Sequence, residues 1–241
     1  MAYEPSYSEY GGMTTVEHAS PAARSAFLNK VYLTVTGGVA VMMASGLGLM
    51  IAAMTSPALQ RLFMAVANPI GFLVLMGAFI ALTFAVQSAA RVPKVNVLLY
   101  GVLCAFTGIL IAPMFLVAVI QTKSMVIIWQ ALGLTIVTFG ALTGYVLVSG
   151  KDFTFMRGFL VTGLIVVFVG ILAGFFIQSS AFHLALTCVG LLLFAGFVLY
   201  DTSVIMRQLG PDEWVAGALR LFLDFFNMFI RILSLLLSAR R

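Results

Sequence analysis

The stretch LFLDFFNMFIRILSLLL, residues 221–237, decides how this chain is read. It is apolar enough for the inside of a bilayer, yet Asp224 stands within it. The polar residues here and just beyond are Arg220, Asp224, Asn227, Arg231, Ser234 and Ser238, spaced four, three, four, three and four. On a helix that spacing puts them all on one stripe. An apolar helix with a single polar stripe belongs in the centre of a bundle. Its stripe then faces polar groups or a polar cavity and is kept from lipid.

The rest of the chain has the same character. Of its 241 residues 62% are hydrophobic and 9% are charged. A soluble domain carries about 25% charged residues. The mean hydropathy is +1.13. Seven apolar runs lie at about 31–54, 70–90, 95–120, 125–148, 158–178, 181–206 and 217–237. Each has about the length that a bilayer crossing requires. Lipid leaves helices or a closed barrel as the ways to satisfy the backbone, and the lack of alternation excludes the barrel. The expectation is an all-α integral membrane protein, a seven-helix bundle with the last helix central. Residues 1–29 read as a polar cytoplasmic tail, loosely held, and residues 30–241 as the seven-span membrane domain. The first run is longer than a signal-peptide core and reads as a retained span.

Small residues recur at four-residue spacing, as Ala40, Ala44, Gly48 and Ala52, then Gly140 and Gly144, then Gly170 and Gly174. Such faces let helices approach closely. Pro113 is expected to kink or break the third span. The two cysteines fall in apolar runs, which argues against a disulfide framework or a thiolate metal site. The 13 methionines are scattered and read as packing. A net charge of +5 suggests nucleic acid only weakly, because the basic residues stand singly beside apolar runs. That is how topology determinants look. No nucleophile–base arrangement, metal-ligand cluster or phosphate loop is evident, so neither an enzyme nor a bound cofactor is expected.

With seven crossings, one side receives Arg24, Lys30, Arg91, Lys94, Lys151, Arg157, Arg207 and Arg220. The other receives Arg61, Lys123 and the terminal Arg240–Arg241. The larger set places the N-terminus in the cytoplasm. The terminal arginines disagree with that count. A full last crossing puts them outside, and a segment that dips in and returns puts them inside.

Two of the eight acidic residues, Asp201 in LYDTSV and Asp224, lie inside apolar segments. Each costs about 2.5–3.5 kcal/mol at mid-helix on insertion scales. Asp201 lies about 9 Å before the end of its span and Asp224 about 10 Å after the start of the next, at 1.5 Å per residue. The two helices are joined by a short loop, so the carboxylates can sit level with each other. Carboxylates sharing a site cannot both ionise easily and titrate in two steps. Such a pair suits a proton sensor or a cation-binding point, with Asp201 and Asp224 as the candidate metal ligands. The alternative is structural glue, through an Asp–Asp hydrogen bond or through Asp224 paired with Arg220 or Arg231.

At these residues the sequence resembles the transmembrane Bax inhibitor motif family, and its bacterial branch most closely. YDTSVI followed by LFLDFFNMFIRIL and a short basic end looks like the C-terminal signature of that family. KDFTF and TGILIAP are similar to it too. The resemblance implies six helices around a central last one. It also implies a pH-sensitive calcium leak with Asp201 and Asp224 as sensor. A basic residue ending the second span would act as latch on the pair, with Arg91 the candidate and Lys94 the runner-up.

Two functions compete. One is a leak for calcium, or another cation, gated by protonation of the aspartate pair. The other is a non-transporting regulator of stress or cell death, acting on a membrane-anchored AAA protease or another membrane partner. The expected surroundings are a lipid bilayer, of a bacterial inner membrane, with no nucleic-acid partner. An intramembrane aspartyl protease is disfavoured, because no Gly-x-Gly-Asp motif surrounds either aspartate. His183, five turns from Asp201 on the far side, reads as a packed or interfacial residue.

Overall fold

The computed structural model describes residues 15–66, 68–89, 92 and 94–240. Among the described residues there are eight α-helices and no strand. They are α1 (Pro21–Thr55), α2 (Pro57–Val66), α3 (Pro69–Ser88), α4 (Val95–Thr122), α5 (Val126–Ser149), α6 (Arg157–Ala173), α7 (Ser180–Arg207) and α8 (Trp214–Ser238). Single 3-10 turns form at Val16–His18 and Thr154–Met156.

The chain is a helical membrane protein, but a simple count of seven spans needs correction. The segments of α1, α4, α5, α6, α7 and α8 have the length and composition to cross a membrane. Helix α3 is apolar as well and 20 residues long, so the difference lies in the added helix α2. The amphipathic α2 was not foreseen. Two prolines explain the extra break, because α2 opens on Pro57 and α3 on Pro69. Proline is accepted in a first turn, where its missing N–H has no intrahelical partner to lose. Asn68 caps α3 by accepting a hydrogen bond from the Gly71 N–H at 2.9 Å. Pro113 lies inside α4 without ending it. Its neighbours Ile111, Ala112 and Phe115 are buried in the bundle, and such packing holds a helix together across one lost bond.

The last helix, α8, packs against α1, α3, α4, α5 and α7. Its phenylalanines make the contacts. Phe222 meets Tyr100 edge-on at 5.7 Å, and Phe229 meets Phe115 at 5.9 Å. Phe225 meets Phe139 at 5.5 Å, and Phe226 meets Phe79 at 6.1 Å. Lipid is as apolar as these rings, so burial alone supplies little drive here, and close packing supplies it instead. By contrast α6 turns Phe159, Val161, Ile165, Val166 and Val169 outward, as a lipid-facing helix must.

Close approach uses different small residues from those the spacing suggested in α1. Ala40, Ala44, Gly48 and Ala52 all lie exposed. The tight seam is instead between α1 and α4. A Cβ on Gly108 would overlap Ser45 and the Met42 carbonyl, and one on Gly46 would come within 3.0 Å of the Gly108 carbonyl. Ser45 Oγ donates across the seam to the Ala105 carbonyl at 3.1 Å. Gly140 and Gly144 have open space around them. Gly170 and Gly174 do serve as expected, lying against Leu186 and His183 of α7.

One end of the bundle gathers the start of α1 and the ends of α5 and α7. Arg207 ties them together, with Nη1 2.8 Å from Glu17 Oε1 and Nη2 donating to the Gly150 carbonyl at 2.7 Å. Gly150 closes α5 with φ 62, a left-handed conformation that glycine adopts without strain. Val16 is buried here, and its N–H donates to the Leu209 carbonyl at 2.9 Å. Thus residues 16–18, within the segment read as a tail, are folded onto the end of α7. In the adjoining loop, the Thr154 N–H donates to Asp152 Oδ1 at 2.8 Å. That bond, more than the nearby Arg207, holds the Asp152 carboxyl below the usual carboxylate range. Arg240 lies at the opposite end, where Nη2 donates to Gln130 Oε1 at 3.2 Å. α8 therefore runs the full length of the bundle as one helix, and the alternative of a segment that dips in and returns falls away.

Candidate functional site

The antiparallel contact of α7 with α8 brings Asp201 and Asp224 together. Both are buried, at 6% and 4% exposure, and their carboxyl groups lie within hydrogen-bonding reach of each other. Because a carboxylate only accepts, a hydrogen bond between two carboxyls requires one proton. Arg220, one turn before Asp224, reaches across to α7, where Nη1 lies 2.9 Å from Asp201 Oδ1. Arg220 is partly open to the end of the bundle that holds Arg207, while Asp201 is closed in. The cluster is thus two acids and one cation, with the cation on the outer acid. Asp224 Oδ2 is buried without a hydrogen-bond partner among the described residues.

The polar stripe of α8 resolves into separate parts. Arg220 and Asp224 face Asp201. Asn227 turns back on its own helix and donates to the Leu223 carbonyl at 2.8 Å. Arg231, about 10 Å further along the helix, lies over the bare backbone of Gly190 in α7. Arg231 therefore does not pair with Asp224, and Arg220 pairs with Asp201. The proposed latch residue Arg91 lies outside the described residues. Lys94, the runner-up, immediately precedes α4 and forms no ion pair with Asp201 or Asp224.

Sequence spacing did not point to a group of hydroxyls beside this cluster. The Tyr32 hydroxyl of α1 faces Thr143 of α5 and Thr202 of α7. None of the three has well-aligned hydrogen-bond geometry, although all are buried. Thr202 directly follows Asp201, and that adjacency was the available signal. Tyr32 and Thr143 become neighbours only through packing. Among the described residues no group of three or more His, Cys, Asp or Glu is placed to hold a metal ion. Any cation at this site would have to be held by Asp201, Asp224 and hydroxyl or carbonyl oxygens. Hard cations accept that type of donor.

Residues 24–241 match the family described as "Inhibitor of apoptosis-promoting Bax1". A Vibrio cholerae protein described as an uncharacterized membrane protein is 36% identical over 169 residues, which cover 70% of this chain and 75% of that one. The Golgi anti-apoptotic protein of vaccinia virus is 34% identical over 169 residues, or 70% of this chain and 69% of its own length. The Escherichia coli protein named "Modulator of FtsH protease YccA" is 36% identical over 115 residues, or 48% of this chain and 52% of its own. The family match begins in the first turn of α1 and takes in both helices that carry the buried acids, so this chain belongs to the family of the Bax1 inhibitors.

Proposed function

We propose that this protein is a non-catalytic regulator of a membrane partner, and that in a bacterial inner membrane the partner is a membrane-anchored ATP-dependent protease. The similarity to a protein named as a modulator of FtsH protease carries this reading. The vaccinia relative, named an anti-apoptotic protein, points to regulation as well. The fold is compatible with such a role. Among the described residues six helices have membrane length, α8 packs tightly within the bundle, and outward faces such as that of α6 are free to meet another membrane protein. The Asp201–Asp224–Arg220 cluster would make the α7–α8 contact sensitive to protonation. The test is the half-life of a membrane-bound protease substrate in cells with and without the chain. A longer half-life in its presence supports the proposal, and an unchanged half-life rejects it.

The second reading is a pH-sensitive leak for calcium or another cation, with the N-terminus in the cytoplasm. One observation favours it, namely the buried acid pair with an unpartnered oxygen, Asp224 Oδ2, on the central helix. Protonation would release Arg220 from Asp201 and loosen the end of the bundle. Calcium flux in proteoliposomes across a pH series tests it. Flux no faster than in protein-free vesicles at every pH would reject a leak.

A further inference from the structure

The α7–α8 contact also contains a second polar place, in the half of the bundle away from the acid pair. A cavity of about 910 Å³ lies between α6, α7 and α8, with Met114 of α4 also lining it. Arg231 and Ser234 face it from α8, and Ser180, His183 and Thr187 from α7. Arg231 is half-buried, and among the described residues it has neither an acidic partner nor a side-chain hydrogen bond. The two buried acids are turned to the other end, where Arg220 occupies Asp201. An unpaired arginine at membrane depth is costly and marks a ligand or a water-filled path.

The position of the guanidinium is built into the packing. It lies on Gly190, where an added Cβ would stand 2.8 Å from Nε and 3.0 Å from Cζ. Only glycine leaves room for the group to lie there. Ser234, nearly one turn after Arg231 on α8, lines the same cavity, whereas the hydroxyl of Thr187 already donates to the His183 carbonyl at 2.7 Å. A guanidinium offers five N–H donors in a planar fork and accepts nothing. With Ser234 close by on the same helix, the site is rich in donors and is lined by no carboxylate. That chemistry fits the oxygens of an anion, and the fork matches phosphate in particular.

We infer that this cavity is a binding site for a phosphate group, with Arg231 as its principal ligand. The cavity is larger than a phosphate ion needs, and its third wall includes Ile171 and Phe175, in or just after α6. It therefore has room for a phosphodiester with hydrocarbon attached, as well as for inorganic phosphate. The site is separate from the acid pair and does not depend on the regulatory reading.

The experiment uses full-length protein, stripped of lipid in detergent, and follows thermal unfolding. The additions are inorganic phosphate, phosphatidylglycerol, and diacylglycerol, which lacks the phosphate. A ligand of the folded state raises the unfolding temperature. Phosphatidylglycerol should raise it and diacylglycerol should not, with the rise lost in Arg231→Gln. Native mass spectrometry should find phospholipid retention at least about ten-fold lower in that variant, the loss expected when a charge-assisted contact is removed. A rise with inorganic phosphate alone would also support the site and identify a free anion as its source. Equal responses in parent and Arg231→Gln, or no response to either phosphate compound, would overturn it. Should Arg231→Gln not fold, Gly190→Ala displaces the guanidinium while keeping its charge. That variant should bind more weakly, and undiminished binding would overturn the inference.

Discussion

Arg220 of α8 lies 2.9 Å from Asp201 of α7, while Asp224, on the same helix as Arg220, also faces Asp201. One guanidinium thus serves two acids, and it serves them unequally. Removing one partner from such a buried pair is harmful because the other is left uncompensated.

Arg220→Gln is therefore expected to lower stability by about 1–3 kcal/mol, less than for a fully buried pair because Arg220 is partly exposed. The effect should be largest where Asp201 carries its charge. It should shrink as acid neutralises that carboxylate. Adding Asp201→Asn should recover much of the loss. Thermal unfolding of the double-mutant cycle at two pH values measures all of this, and simple additivity would show that the pair is not coupled.

The seam between α1 and α4 gives a sharper packing contrast. Gly108→Ala forces a Cβ into Ser45 and the Met42 carbonyl, both held by helix backbone. A cost of about 1–3 kcal/mol is expected for such overpacking. Gly48→Ala has nothing within 4 Å and should fall within about 0.5 kcal/mol of the parent. Melting temperatures of the two variants in one detergent check this order.

Glu17 and Val16 are held at the end of α7 by Arg207 and Leu209. A cysteine replacing Val16 should be protected from a polar thiol reagent in the parent and labelled when Arg207→Ala is added. The nearby Asp152 is held below its usual pKa. A depressed carboxylate stabilises the fold above its unfolded value of about 3.9 and loses that contribution as pH falls through the lower folded value. The contribution of Asp152 should therefore stay constant between about pH 8 and pH 5. Loss of protection within that range in an Asp152-dependent manner would contradict the assignment.

Because Glu17 and Gly150 share one end and Arg240 the other, a reporter inserted after Lys151 and one fused to the C-terminus should read opposite sides. Cytoplasmic signal is expected from the first, following the distribution of basic residues. Equal signals would contradict a full crossing by α8.

The central position of α8 was legible from one spacing. Arg220, Asp224, Asn227, Arg231 and Ser234 can share a stripe only on a helix surrounded elsewhere by apolar groups. The meeting of Asp201 with Asp224 followed from their depths. Partner choice was not legible. Sequence spacing made Arg220 and Asp224 neighbours one turn apart, whereas the side chain of Arg220 crosses to the other helix. The small-residue stripe of α1 failed for a related reason. Four-residue spacing finds a face but not its direction, and the seam with α4 was chosen by Gly108 and Ser45 together. The break that makes α2 was written in Ser56–Pro57 and Asn68–Pro69, which the hydropathy of the flanking runs obscured.

Regulation and cation leak separate most directly when both are read from the same vesicles. The chain would be reconstituted with a membrane-anchored ATP-dependent protease and its membrane substrate, with a calcium dye inside. Substrate cleavage and dye signal would be followed together from acid to alkaline pH. The result expected is that adding the chain slows cleavage while calcium entry stays at the rate of vesicles without it. Asp224→Asn should change the pH at which cleavage is slowed. Unaltered cleavage, with calcium entry that rises with the amount of chain and loses its pH dependence in Asp224→Asn, would contradict the regulatory proposal and establish the leak.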